Sequence, residues 1–199
     1  MGLDMTYQAV PDPCVLIERS LKDSEFGELL QFLPGLYKRG AAGWQDGIRL
    51  EFWQLAGELA KQSPGLEKRN CYVGRRWDDL HYLLSANRRK EQGDEKDVLL
   101  DKAIHGNKLG DLAGTQGMPI GYVSHSEVSQ IAGLLEPLTP ADLRAHYLPE
   151  KMQAQNVYKF FEPRADDDDW KFTSEAFKTF RTFYLEAAAA KEGALTILD

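Results

Sequence analysis

Three short strand-like runs, set far apart in a chain whose other apolar positions mostly recur at helical spacing, decide what this protein can fold into. Residues 2–10 alternate Leu3, Met5, Tyr7 and Ala9 with Asp4, Thr6 and Gln8, the period of two expected of a half-buried strand, and Pro11 and Pro13 close it. Residues 118–124 and 194–198 read as the second and third strands. So few strands among so many helices predict an α+β fold, with one small, mostly antiparallel or mixed sheet packed by several helices. No repeat or linker divides the sequence. With 199 residues, 43% of them apolar, residues 1–199 are read as a single domain that buries about 70% of its unfolded surface.

Between the strands, residues 14–33 read as two short helices broken near Lys22-Asp23 and stopped by Pro34-Gly35. A connector with Gly40, Gly43 and Gly47 leads to a helix from Ile48 to Lys61, ended by Ser63-Pro64-Gly65. Residues 87–96 are charged, of mixed sign and without apolar residues, a solvated loop. A short helix from Asp97 to Ile104 ends at Gly106, and the glycine-rich stretch 106–117 reads as a mobile loop. Ser124 and Glu127 form a capping box for the helix carrying Val128, Ile131, Ala132 and Leu135. Thr139-Pro140 starts another helix, and residues 156–163 read as irregular. A long helix from Ser174 to Lys191 carries Phe177, Phe180 and Tyr184 on one side, with Gly193 as the residue that ends it.

Composition removes several function classes. The net charge of −7 opposes general nucleic-acid binding, which needs concentrated Lys and Arg. No apolar run reaches the ~20 residues of a membrane span, and no signal peptide is visible at Met1-Gly2-Leu3. Cys14 and Cys71 lie far apart without Cys-x-x-Cys spacing, the pattern of two thiols in a reducing cytoplasm. His81, His105, His125 and His146 show no His-x-x-x-His spacing, so no metal ligands and no cofactor are assigned. The glycines at 106–117 lack the Lys-Ser/Thr ending of a phosphate-binding loop.

The densest chemistry lies in Gly74-Arg-Arg-Trp-Asp-Asp-Leu-His-Tyr-Leu-Leu84. At helical spacing Trp77, Leu80, His81 and Leu84 share one face, while Arg75 and Asp79 can pair at i,i+4. Three readings compete. In the structural one, Trp77 fills core, His81 satisfies a buried backbone carbonyl, and Asp78 or Asp79 pairs with Arg75 or Arg76. In the second, Asp78, His81 and Tyr82 line a cleft for a small ligand. In the third, Asp78 orients His81 as a general base, but no nucleophile is placed beside it and no catalytic residue is assigned. Asp166, Asp167, Asp168 and Asp169 form an acidic loop next to Trp170. An aromatic beside carboxylates suits an interface in which the ring is buried and the acids steer a basic partner.

Several landmarks together resemble one family: the Met1-Gly2-Leu3 strand with Tyr7, Arg76-Trp-Asp-x-Leu-His-Tyr-Leu-Leu84, Ala103-Ile104-x-Gly106, Ser124-x-x-Glu127-Val128 with Ile131-Ala132, Leu143, Pro149-x-x-Met152 and Phe183-Tyr184-x-x-Ala187-Ala188 before a Gly-Ala-Leu strand. This order is similar to the YfbM-like proteins, small bacterial proteins with a domain of unknown function. The resemblance covers most of the chain and is best over 72–199. It implies a single α+β domain, a bacterial cytoplasmic protein, and no established activity. The polar stretch 87–96 and the run Asp166–Asp169 depart from the family pattern. The function expected is a non-enzymatic protein-binding module, such as an inhibitor or an immunity protein that neutralises a basic toxin-like partner. The alternative is a small-molecule-binding protein or hydrolase-type enzyme built on Asp78, His81 and Tyr82. Neither nucleic acid nor membrane is an expected partner.

The placement of Trp77 on an apolar stripe generates the first test. Trp77→Ala should lower the denaturation midpoint by the equivalent of ~3–5 kcal/mol. A loss below ~1 kcal/mol would mark the ring as an exposed contact residue instead.

Overall fold

The computed structural model describes residues 3–39, 50–85, 95–108, 120–158 and 167–198. Its strands are β1 (Met5–Val10), β2 (Asn70–Gly74), β3 (Asn107–Lys108), β4 (Ile120–Val123) and β5 (Gly193–Leu198). They form an antiparallel sheet in the order β2-β1-β5-β4-β3. In register, Tyr7 faces Cys71 on one side and Thr196 on the other, and Val123 faces Ala194. The three strands expected from the sequence are β1, β4 and β5. The chain adds β2 and β3 at the edges; β3 has only two residues, and β2 runs straight into the Arg76–Leu84 motif, which drew the reading of that stretch. Cys71 is buried while Cys14 lies at the surface.

Side chains on both faces of β1 are buried, with only Thr6 partly exposed, so it is not the half-exposed strand its alternation suggests. Gln8 is fully buried, and its Nε2 donates to the carbonyls of Ala9 (3.0 Å) and Leu66 (3.2 Å). These bonds satisfy the amide nitrogen, whereas Gln8 Oε1 is buried without a partner among the described residues and keeps its desolvation cost.

Nine helices surround the sheet among the described residues: α1 (Pro13–Lys22), α2 (Ser24–Arg39), α3 (Leu50–Gln62), α4 (Trp77–Leu84), α5 (Glu95–His105), α6 (His125–Leu135), α7 (Pro140–Arg144), α8 (Pro149–Ala154) and α9 (Asp167–Ala189). The break between α1 and α2 falls at Asp23, as the sequence suggests. Pro34, however, does not stop α2, which runs five residues past it to Arg39. A helical proline removes one ladder bond and crowds the carbonyl four residues before it, at a cost of ~3 kcal/mol. Here Leu30 and Leu33 are buried, and the Tyr37 hydroxyl donates to the Ala56 carbonyl (2.9 Å), so tertiary contacts carry the helix across. The charged stretch ending at Lys96 is shorter than expected, because Glu95 and Lys96 already belong to α5. Of the loop expected over 106–117, Asn107–Lys108 form β3; the glycine connector and residues 86–94, 109–119 and 159–166 lie outside the described residues.

At its C-terminus α9 is closed by Lys191 in the left-handed conformation (φ 58°), not by Gly193. The Glu192 amide reaches the Ala187 carbonyl (2.9 Å) and the Lys191 amide reaches that of Ala188 (3.0 Å), the paired bonds of a Schellman motif. Gly193 is already in β5, where a Cβ would lie 2.5 Å from Pro13 Cγ.

The core sits between the sheet and α9. Tyr7 meets Phe180 edge-on at 5.3 Å between ring centres, with Phe183 and Tyr184 close by, and all four are buried. Below this layer Arg69 grips Glu192 with two 2.6 Å bonds, and Ser63 donates to the same carboxylate. The pair ties the residues before β2 to the start of β5, and the Glu192 side chain is 1% exposed. Removing one partner of such a pair strands the other charge. Glu192→Ala should therefore cost ~3–5 kcal/mol in urea denaturation, whereas pairing Arg69→Met with Glu192→Leu should recover much of that loss.

Candidate functional site

The residues singled out on α4 are held by two separate networks. Arg76, just before the helix, bonds Asp79 (3.0 Å) and reaches across to Asp169 of α9 (2.7 Å). Asp79 also accepts from the Thr173 hydroxyl (2.9 Å). Burial pushes the Asp79 carboxyl up, against the pull of Arg76. The pairing expected between Arg75 and Asp79 is replaced, since Arg75 turns to Asp4 at 3.6 Å.

The second network surrounds Trp77. Asp78, 6% exposed, accepts the Tyr158 backbone N–H at 2.6 Å. The Tyr158 ring stacks on Trp77 (5.7 Å, 26° between planes). The Trp77 indole N–H donates to the Leu3 carbonyl (3.1 Å), and the Leu3 N–H donates to the Tyr158 hydroxyl (2.7 Å). Trp77 is thus half-buried against the core, which places the expected loss for Trp77→Ala toward the lower end of its range. Tyr82 is fully buried.

His81 meets a carboxylate, that of Asp101, at 3.2 Å. It faces α5, whose last turn is fixed from below by the core. Gly106, with φ 71°, ends α5 and donates to the Lys102 carbonyl at 2.7 Å. The next three carbonyls, which a helix end leaves without partners, are taken by core hydroxyls. Tyr184 donates to Ala103 (2.7 Å), Tyr7 to Ile104 (3.1 Å) and Thr196 to His105 (2.8 Å). Burial pushes both tyrosine hydroxyls well above their ordinary pKa, so they stay protonated donors. Gly121 is required under this turn, because a Cβ there would overlap the His105 carbonyl oxygen and the Thr196 hydroxyl.

On α5, Asp101 and His105 are four residues apart and share a face. Asp101 Oδ1 lies 3.1 Å from His105 Nδ1 and 3.2 Å from His81 Nε2. The two imidazole rings meet edge to face at 4.9 Å, and Trp77 closes the far side of His105 at 5.6 Å. The other ring nitrogen of His81, Nδ1, lies 3.9 Å from Asp78 Oδ1. Hydrogen bonds from His105 and His81 hold the Asp101 carboxyl far below the usual carboxylate range. One ligand-type atom from each of His81, Asp101 and His105 lies within 4.8 Å of the others. Their side chains are 17%, 51% and 22% exposed, so the cluster is open on the carboxylate side.

Over residues 1–197 the chain matches the family described as a domain of unknown function, DUF1877. The chain belongs to that family. Its fold is similar to that of the crystal structure of YfbM from Escherichia coli, a protein of unknown function, with a TM-score of 0.59 and 14% identity over 98% of this chain and 99% of that one. At that identity the likeness is one of fold. None of the curated proteins matches the chain.

In this DUF1877 protein the acidic run is not a loop. Asp167, Asp168 and Asp169 form the first turn of α9, where negative charge is favoured by the helix dipole; Asp166 lies outside the described residues. Asp169 is tied to Arg76, and Trp170 is half-buried, meeting Tyr147 at 5.2 Å with the Arg144 guanidinium 5.3 Å from its ring. The exposed aromatic of this turn is Phe172, at 65%.

Two functional candidates escaped the sequence reading, Asp101 and His105. The signal for them was the Asp101-x-x-x-His105 spacing, which puts both donors on one side of a helix, but their third partner comes from another helix. Lys102, between them, bonds Glu127 (2.6 Å), the acid of the capping box, which also accepts from Asn107 (2.8 Å) and Ser124 (2.8 Å). Burial opposes ionisation of Glu127, but these bonds outweigh it and hold the carboxyl at about 2. A depressed carboxyl adds stability above its unfolded pKa of ~4.3 that is lost as pH falls through the folded value. Wild-type stability should therefore drop between about pH 4.5 and 2, and Glu127→Gln should flatten that limb in denaturation profiles.

Proposed function

We propose that this protein acts by non-covalent binding, and that the binding element is the α4–α5 surface formed by His81, Asp101 and His105 with Trp77 and Tyr158 beside them. The observation that carries this is the convergence of two imidazoles on one carboxylate oxygen, at 3.2 and 3.1 Å. These are three titratable groups with complementary donors and acceptors, gathered from two helices on a partly open surface. Such convergent polar groups beside aromatic rings are the usual furniture of a small-ligand site. The ring and amide contacts around Trp77, Asp78 and Tyr158 pre-set the wall, so little ordering remains to oppose binding.

The test is a thermal-shift panel of divalent metal chlorides, inorganic phosphate, nucleotides, amino acids and small carboxylic acids. A ligand at about 100 times its Kd adds ~2.7 kcal/mol, worth roughly 5–10 °C in a domain of this size. At least one member should raise the wild-type Tm and fail to raise that of His105→Ala and Asp101→Asn. A panel in which every hit acts equally on wild type and variants would sink the proposal.

A second reading is favoured by one observation. Phe172 stands 65% exposed on the first turns of α9, beside Asp169 and within 5.9 Å of the Arg76 guanidinium. In a chain of net charge −7, such a ring suits the buried anchor of a basic protein partner. In that case Phe172→Ala, not Trp170→Ala, would abolish co-purification of the partner from the native host while leaving the fold intact.

A further inference from the structure

The donor set at the α4–α5 surface has a more specific chemistry than a generic polar cleft. Two imidazole nitrogens and a carboxylate oxygen form the mixed N/O set preferred by first-row divalent transition ions, whereas Mg²⁺ and Ca²⁺ seek oxygen-only shells. Building on the binding site proposed above, we infer that His81 Nε2, Asp101 and His105 Nδ1 are the three protein ligands of a mononuclear divalent transition-metal site.

The distances suit this. An ion about 2.1 Å from each donor, the usual length for imidazole nitrogen and carboxylate oxygen, sets neighbouring donors roughly 3.0–3.4 Å apart for angles between octahedral and tetrahedral. The two donor pairs measured through Asp101, 3.2 and 3.1 Å apart, fall in that range; the two nitrogens lie within 4.8 Å of each other and must come within about 4.2 Å to share one ion, a shift that rotation of the partly exposed rings supplies. The helix supplies two ligands at once, because i,i+4 spacing on α5 aims Asp101 and His105 to one side. His81 then completes the set from α4.

Binding needs each coordinating nitrogen to present its lone pair, so the ring proton moves to the opposite nitrogen. For His81 that nitrogen is Nδ1, which lies 3.9 Å from Asp78 Oδ1. Asp78 is itself fixed by the Tyr158 amide at 2.6 Å. At 3.9 Å His81 and Asp78 are in ion-pair range but not hydrogen-bonded; a closer approach on metal binding would make a carboxylate–imidazole–metal relay, in which the outer acid orients the ligand ring and raises its basicity. Three protein ligands leave at least one coordination position for water or an anion. The half-exposed Asp101 puts that position toward solvent.

The measurement is a titration of the chelator-stripped, full-length protein near neutral pH with Zn²⁺ by calorimetry and with Co²⁺ by visible absorption. Wild type should bind one ion per chain with the d–d spectrum of a nitrogen- and oxygen-ligated site. Affinity should fall by on the order of 100-fold or more in His81→Ala, His105→Ala and Asp101→Asn, and by about 10-fold in Asp78→Asn. Histidine ¹⁵N spectra of wild type supply a readout that does not depend on a variant folding. Zn²⁺ should move the resonances of His81 Nε2 and His105 Nδ1, and leave those of His125 and His146 in place. Absence of binding, or binding that moves His125 or His146 instead, would overturn the inference. An organic hit from the panel that needs His105 and persists in chelator, in a protein that takes no metal, would end the metal assignment and leave the binding site standing. Loss of every cluster-dependent response would end both.

Discussion

The last turn of α5 is the joint on which the candidate site depends. A helix C-terminus carries unpaired carbonyls, and here they point into the interior. Three hydroxyls from three strands and helices meet them: Tyr184 from α9, Tyr7 from β1 and Thr196 from β5. Leaving any of these oxygens without a donor would cost ~1–3 kcal/mol. The same bonds that stabilise the core therefore fix the position of His105, and through helical geometry that of Asp101. The surface chemistry inherits its precision from buried hydrogen bonds that never touch solvent.

The other half of the cluster is positioned by charge rather than by hydroxyls. Arg76 clamps α4 to α9 through Asp79 and Asp169, and Asp78 seats the Tyr158 amide. Two adjacent aspartates thus do opposite things. Asp79 looks inward to a guanidinium and a threonine hydroxyl. Asp78 faces the aromatic stack and His81. One residue of sequence separation on a helix is a turn of about 100°, enough to send neighbours to different sides.

What could be read from the chain was whatever its neighbours in sequence decide. β1, β4 and β5 announced themselves by composition and punctuation, and the capping box at Ser124 and the helix start at Thr139-Pro140 formed where their spacing placed them. The α+β assignment followed from these. Local rules failed where distant contacts overruled them. Pro34 sits inside α2 because Leu30, Leu33 and Tyr37 are anchored on both sides of it. The acidic run became the head of α9, since Asp169 found Arg76 nearly a hundred residues away. Lys191 adopted the left-handed turn that a glycine would ordinarily take, leaving Gly193 for its close approach to Pro13. At the candidate site, His81 and Asp78 stood out from their motif. Asp101 and His105 did not, because nothing along the chain says that α5 lies against α4.

The strand order β2-β1-β5-β4-β3 also has a bearing on how the molecule is made. The strand latest in the chain, β5, is the central one, paired with β1 on one flank and β4 on the other. Until those residues leave the ribosome, β1 has only β2 to pair with, and β4 has only the two residues of β3. The half-sheets can neither join nor bring Thr196 beneath α5. Such long-range closure is the slow, exposed stage of assembling a sheet. The nascent protein consequently carries the open edge of β1, joined after residue 123 by that of β4, until β5 emerges, a condition in which a chaperone, or a second nascent chain, has something to hold.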